Sequence, residues 1–167
     1  MGQAATQIAH WKKARVIGAS TTSDNTSGAD AMVNTTTQPL DSGVRALTEG
    51  KGADLALDAV GGPMFEPSLK SLRIGGRLMA ITSTKDRRVS FDLVDFYHNL
   101  SRLIGVDTMK LTGPEIAGMM NHLRAGFEEG VLRPPTVSAW PFDRAIEAYT
   151  AVAQGSRTKQ VLVPGAR

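Results

Sequence analysis

Gly52-Ala53-Asp54-Leu55-Ala56-Leu57-Asp58-Ala59-Val60-Gly61-Gly62-Pro63 is the stretch on which the fold turns. Leu55 to Val60 is an apolar run of strand length, and Gly61-Gly62-Pro63 ends it. Phe65, Leu69 and Leu72 follow at helical spacing, predicting a helix from Phe65 to Leu72. Gly75-Gly76 then turns the chain into a strand over Arg77–Thr82. Strand, helix and strand in so short a span predict a parallel crossover. Asp58, inside the apolar run, reads as paired with a neighbour rather than catalytic.

The same alternation continues in both directions. Downstream come a polar loop, a short helix near Phe91–Asn99 and a strand over Leu103–Val106. Thr112-Gly113-Pro114-Glu115 has the form of a capping box. It opens a long helix with an apolar stripe of Ile116, Met119, Met120, Leu123 and Phe127, ended by Gly130, in which the methionines read as core filler. Arg133–Ser138 is extended, Asp143–Ala153 helical, and Gln160–Val163 a last strand. Upstream, Gly2–His10 is helix-prone and Arg15–Ala19 is a short strand. Nine of the eighteen residues from Ser20 to Thr37 are Ser or Thr, with no helical period. Ala31–Asn34 is a second short strand within them, and Pro39-Leu40-Asp41 opens a helix with Leu40, Val44 and Leu47 on one face, closing at Gly50. The fold class predicted is α/β, a parallel sheet flanked by helices, as a single domain over residues 1–167.

With 41% hydrophobic and 21% charged residues, the chain is neither disordered, coiled-coil nor collagen-like. No apolar stretch approaches the roughly 20 residues that span a bilayer. The N-terminus lacks a signal-peptide pattern, so the expectation is a cytoplasmic protein with no membrane partner. The absence of cysteine excludes disulfides, thiolate zinc ligation and a cysteine nucleophile in these residues. The net charge of +3 is spread thinly, with tight groups only at Lys12-Lys13 with Arg15 and at Arg87-Arg88, and aromatics are 5% of residues. That pattern argues against nucleic-acid binding. His10, His98 and His122 fall on separate predicted helices without ligand spacing, so no metal site is expected. Asp95, Tyr97 and His98 form the one cluster with acid/base character, and they read more simply as a solvated helix face anchored by Tyr97. The catalytic residues stay unknown.

Several motifs, in order, resemble the coenzyme domain of the medium-chain dehydrogenases/reductases, the zinc-binding-dehydrogenase-like superfamily. Gly2-Gln3-Ala4-Ala5-Thr6-Gln7-Ile8-Ala9 with Ala14-Arg15-Val16-Ile17-Gly18 is similar to its start. Gly28-Ala29-Asp30 with Val33-Asn34, the Gly52–Gly62 stretch, Gly75-Gly76-Arg77-Leu78, Leu103–Val106 and Lys159–Val163 continue the likeness. Among the branches, the wording is nearest to the zinc-free quinone oxidoreductases.

The resemblance implies a Rossmann-like doubly wound parallel sheet of strand order 3-2-1-4-5-6, with ligands at the carboxyl ends of the strands. Of the glycine fingerprint that lets the pyrophosphate approach a helix N-terminus, only the last glycine, Gly2, is present. The family's first strand, central in that order, lies ahead of Gly2. Either the second strand pairs directly with the fourth, or another chain supplies the strand between them. The crossover from Ser20 to Ala31 is also shorter than a dozen residues. The family's mostly β catalytic domain is not among these residues.

The site implied is a cofactor crevice lined by Gly2, by Ser20, Thr21 and Thr22 for the adenosine ribose and phosphate, and by Val60, Gly61, Thr82, Ser83, Val106 and Asp107 nearer the nicotinamide. A hydroxyl-rich end of the second strand suits a 2′-phosphate better than an Asp or Glu would, so the cofactor expected is NADP(H). The same hydroxyls also read as plain loop decoration. The activity implied is hydride transfer to a quinone or an activated carbon–carbon double bond, weak or absent in this chain alone. The alternative is a non-enzymatic dimeric interaction protein without cofactor. The partner expected is a second copy, through the edge strand Arg102–Val106, with a separate catalytic-domain chain as a further alternative.

Overall fold

A computed structural model describes residues 1–22, 24, 27–82, 86–156 and 158–165. Its strands are β1 (Ile17–Ser20), β2 (Ala31–Asn34), β3 (Ala53–Asp58), β4 (Leu72–Ala80), β5 (Arg102–Gly105), β6 (Val137–Pro141) and β7 (Lys159–Val163). Its helices are α1 (Gly2–Trp11), α2 (Leu40–Leu47), α3 (Phe65–Lys70), α4 (Leu93–His98), α5 (Gly113–Glu128) and α6 (Ala145–Ala153). Every strand pairing is parallel, as the alternation predicts. The fold is the mixed α/β, Rossmann-like one.

The sheet comes in pieces. β1 lies beside β2 with Ile17 opposite Ala31 and Ser20 opposite Asn34. β3, β4 and β5 form a separate three-stranded sheet in that order, with Asp58 opposite Ala80 and Ala80 opposite Gly105. β6 and β7 pair with each other. Among the described residues β1 and β3 share no ladder, so the second strand of the family order does not pair directly with the fourth.

What joins the halves is α2. Val33 of β2 packs with Leu40 and Val44 of α2, and Ile17 of β1 and Ala53 of β3 lie against the same cluster. The Arg15 guanidinium adds a bond to the Leu47 carbonyl, at 2.7 Å. Gly43 is required here, because a Cβ would fall 2.7 Å from Val33 Cγ1. The second core, under α3, holds Phe65, Leu69, Leu72 and Leu78, with the Phe91 ring tilted against both Phe65 and Phe96. Leu72 and Leu78 are fully buried.

Several expectations need correcting. The strand over this stretch is Ala53–Asp58 rather than Leu55–Val60, because the Asp58 side chain takes the Val60 and Gly61 amides and stops it. Leu72 does not end α3 but begins β4, which runs through Gly75-Gly76 instead of starting after them. The register slips between Ala53 and Leu55, and Gly52 and Gly76 fit there because a Cβ on either would press into the neighbouring backbone. The α5 stripe is not core: Ile116, Met119, Met120 and Phe127 are 45–58% exposed, and only Gly126, against Leu132 and Trp11, is buried. The extended segment predicted at Arg133–Ser138 pairs only from Val137 onward.

The capping box at the start of α5 forms as predicted. Glu115 Oε2 accepts the Thr112 N–H and the Thr112 hydroxyl, each at 2.7 Å. Those two donors hold the Glu115 carboxyl below its ordinary value of 4.5. A depressed carboxyl adds stability above its ordinary value and loses it as pH falls through the folded one. The thermal stability gap between wild type and Glu115→Gln is therefore expected at pH 7 and should close on acidification below about 4.5, in melting curves across pH. Leu78→Ala, which empties a fully buried site, should cost about 2–5 kcal/mol in urea unfolding.

Candidate functional site

Polar side chains stop the strands where the crevice should lie. Ser20 ends β1, and its Oγ accepts the Thr22 N–H at 3.2 Å. Asn34 ends β2, and its Oδ1 accepts the Thr36 N–H at 3.0 Å and the Thr36 hydroxyl at 2.7 Å. Asp58 ends β3, and its Oδ1 accepts the N–H of Val60 at 2.9 Å and of Gly61 at 2.8 Å. Asp107, two residues beyond β5, accepts the Met109 N–H at 3.0 Å. In each case a side-chain oxygen captures the amide two residues on, a local turn that competes with the ladder and ends it.

These turns place the expected residues in groups. Ser20, Thr21 and Thr22 stand beside Thr35, whose N–H and hydroxyl both donate to the Ser20 carbonyl, at 2.9 and 3.2 Å. Thr21 and Thr22 are exposed. Val60 and Gly61 follow β3, and the Ile81 N–H, just before exposed Thr82, donates to the Asp58 carbonyl at 3.2 Å. Val106 donates to the Ala80 carbonyl at 2.9 Å, which brings Val106 and Asp107 beside the end of β4. Ser83 lies outside the described residues. Gly2 opens α1, whose N-cap Met1 makes no side-chain capping bond and whose first turn holds no acidic residue. A Cβ on Gly2 would meet nothing within 4 Å, so the helix start is open to an approaching group.

Gly61 sits at φ 67° and ψ −162°, a conformation essentially restricted to glycine. Asp58 is buried, 3% exposed, with Oδ2 lacking a hydrogen-bond partner among the described residues. It is paired with neighbouring backbone amides, not with a side chain. Sequence reasoning missed Asn34, Thr35 and Thr36 as part of the rim, although the Ser/Thr count from Ser20 to Thr37 held the signal.

The other candidates fall elsewhere. Asp95, Tyr97 and His98 are exposed on α4. Asp95 and His98 border a cleft of about 420 Å³ that also meets Ile74, near the amino end of β4 and opposite the rim. His10 contacts Asp30 at 3.0 Å, and His122 contacts Lys12 at 3.0 Å. Among the described residues no three His, Asp or Glu side chains come together as potential metal ligands.

Residues 1–124 match the family described as zinc-binding dehydrogenase. A component of the pikromycin polyketide synthase of Streptomyces venezuelae is 30% identical over 135 residues, 79% of this chain and 4% of that protein. The human quinone oxidoreductase is 25% identical over 161 residues, 93% of this chain and 48% of that protein. The structure of a mycobacterial quinone oxidoreductase aligns over 98% of this chain and 53% of its own, with a TM-score of 0.84 and 23% identity. The chain thus spans about half the length, or less, of the relatives it matches.

Gly61→Ala should destabilise the chain by about 1–3 kcal/mol in urea unfolding, because no L side chain is at ease at that φ and ψ.

Proposed function

The chain belongs to the zinc-binding dehydrogenase family, and from that membership we propose that it is the NADP(H)-binding portion of an oxidoreductase of quinone- or enone-reductase type. The observation that carries the reading is the rim itself: strands of a parallel α/β fold end in turns rich in hydroxyl and glycine, where doubly wound folds hold a dinucleotide.

Each group of the rim then has a task. The N–H groups at the start of α1, where Met1 makes no side-chain capping bond, favour an anion, which suits the pyrophosphate. The exposed Thr21 and Thr22 hydroxyls suit the adenosine 2′-phosphate, and no carboxylate ends β1 to favour a free ribose hydroxyl. Gly61 lets backbone approach the ligand closely, with Val60, Thr82, Val106 and Asp107 toward the nicotinamide half. A bound nicotinamide supplies the hydride, and the chain's residues bind and orient it. The substrate class is a quinone or an activated carbon–carbon double bond. Turnover by this chain alone should be weak, because holding substrate and excluding water falls to a covering half that these residues do not build. The reading places the protein in the cytoplasm; no described helix is long and apolar enough to cross a membrane.

A second reading draws on β5, the edge of its sheet, where all four residues are exposed. A second copy pairing along Arg102–Val106 would cover that edge and make a dimer, with or without cofactor. Light scattering that gives a monomer at working concentration overturns this reading.

Calorimetric titration of the chain with NADPH and with NADH is the test of the first reading. Saturable binding that prefers NADPH is expected, and Thr22→Ala should weaken NADPH more than NADH. A preference for NADH overturns the assignment of the hydroxyl-rich turn. No heat from a folded sample with either nucleotide overturns cofactor binding by the chain alone.

A further inference from the structure

The turn after β3 hangs on one buried side chain. Asp58, the last residue of β3, is 3% exposed, whereas Ser20 and Asn34 at the ends of β1 and β2 are half-buried and Asp107 beyond β5 is exposed. A carboxylate in such a place is costly unless hydrogen bonds satisfy it. Two backbone amides do so at a single oxygen: Oδ1 accepts from Val60 at 2.9 Å and from Gly61 at 2.8 Å. Amide bonds to a carboxylate are about twice as strong as neutral ones, so this turn is held more firmly than those that Ser20 and Asn34 set. Gly61 is what the bonds hold. At φ 67° and ψ −162° it occupies one of the many conformations open to glycine, and the bond from its N–H to Oδ1 selects that one. The Asp58 carbonyl reaches the next strand as well, accepting the Ile81 N–H at 3.2 Å, one residue before Thr82. Val60, Gly61 and Thr82 are therefore tied to Asp58, in the sheet of β3, β4 and β5, while Ser20, Thr21 and Thr22 belong to the end of the β1–β2 sheet.

We infer that Asp58 is a positioning residue for the nicotinamide half of the cofactor: without touching the ligand, its carboxylate holds the Val60-Gly61 turn in the shape that the ring meets. The role rests on the cofactor reading of the rim, and it goes beyond that reading by dividing the rim in two. The Asp58 bonds serve the nicotinamide half alone. The adenosine half keeps its own bonds, from the Thr22 N–H to Ser20 Oγ at 3.2 Å and from the Thr35 N–H to the Ser20 carbonyl at 2.9 Å. Removing the carboxylate leaves two amide N–H groups without their acceptor and frees Gly61 to leave its conformation. An asparagine side chain keeps an oxygen that accepts both amides, though without the charge. A carboxylate that served only the fold would act on both halves of the rim alike.

The test is calorimetric titration with NADPH and with adenosine 2′,5′-bisphosphate, which carries the adenosine half and its 2′-phosphate but no nicotinamide. Wild type should bind both. Asp58→Ala should lose about tenfold in affinity for NADPH and nothing for the bisphosphate, and Asp58→Asn should recover most of that loss. An equal loss of both ligands overturns the role, as does full NADPH affinity in Asp58→Ala or no recovery in Asp58→Asn. Because Asp58→Ala can unfold, hydrogen exchange and amide resonances of the wild-type chain give a second reading. The Val60 and Gly61 amides should be protected in the free chain, and their resonances should shift on addition of NADPH but not of the bisphosphate. Fast exchange at both amides, or equal shifts with the two ligands, overturns the role. A folded wild type that does not bind NADPH overturns the cofactor reading itself, and this role with it.

Discussion

The demand that backbone N–H and C=O groups be paired governs this molecule more than any side chain does. Among the described residues seven parallel strands satisfy it in three separate sheets, and two of those sheets end at β1 and at β3, which share no ladder. The cluster of Val33, Leu40 and Val44, with Ile17 and Ala53 laid against it, keeps the edges in place without satisfying them. The apolar contact of α2 holds the halves of the sheet together, and among the described residues no ladder joins β1 to β3.

That arrangement links the fold to its function. The strand ends on both sides carry the turns that form the rim, and each turn is set locally, by Ser20, Asn34, Asp58 or Asp107 capturing the amide two residues on. Local turns of this kind do not depend on a central strand.

Much of the fold was legible in the sequence. The alternation of apolar runs with helical spacing gave the parallel α/β class, and Thr112 with Glu115 gave the start of α5. Boundaries failed where a side chain overrode the apolar pattern: Asp58 stops β3 two residues before Val60, where the hydrophobic run ends. They failed again at Leu72, whose spacing from Leu69 suits α3 but whose backbone starts β4. The stripe from Ile116 to Phe127 misled for another reason. Amphipathic spacing shows that a face can be buried, not that this chain supplies the cover, and here it does not. At the rim, Ser20 to Thr22 and Val60-Gly61 were readable from composition and glycine. For Thr35 the Ser/Thr count gave only the composition, because its place at the rim rests on a bond to Ser20 across fifteen positions of sequence.

Residue-resolved hydrogen exchange on the chain alone, at a concentration where it is a single species, tests the central claim most directly. The amides of Ile17, Ala19, Leu55 and Leu57 should exchange fast, while those of Gly18, Ala56 and Leu78, within the ladders, are protected. Slow exchange at all four in an isolated monomer would mean that β1 and β3 close on each other, and would contradict the account.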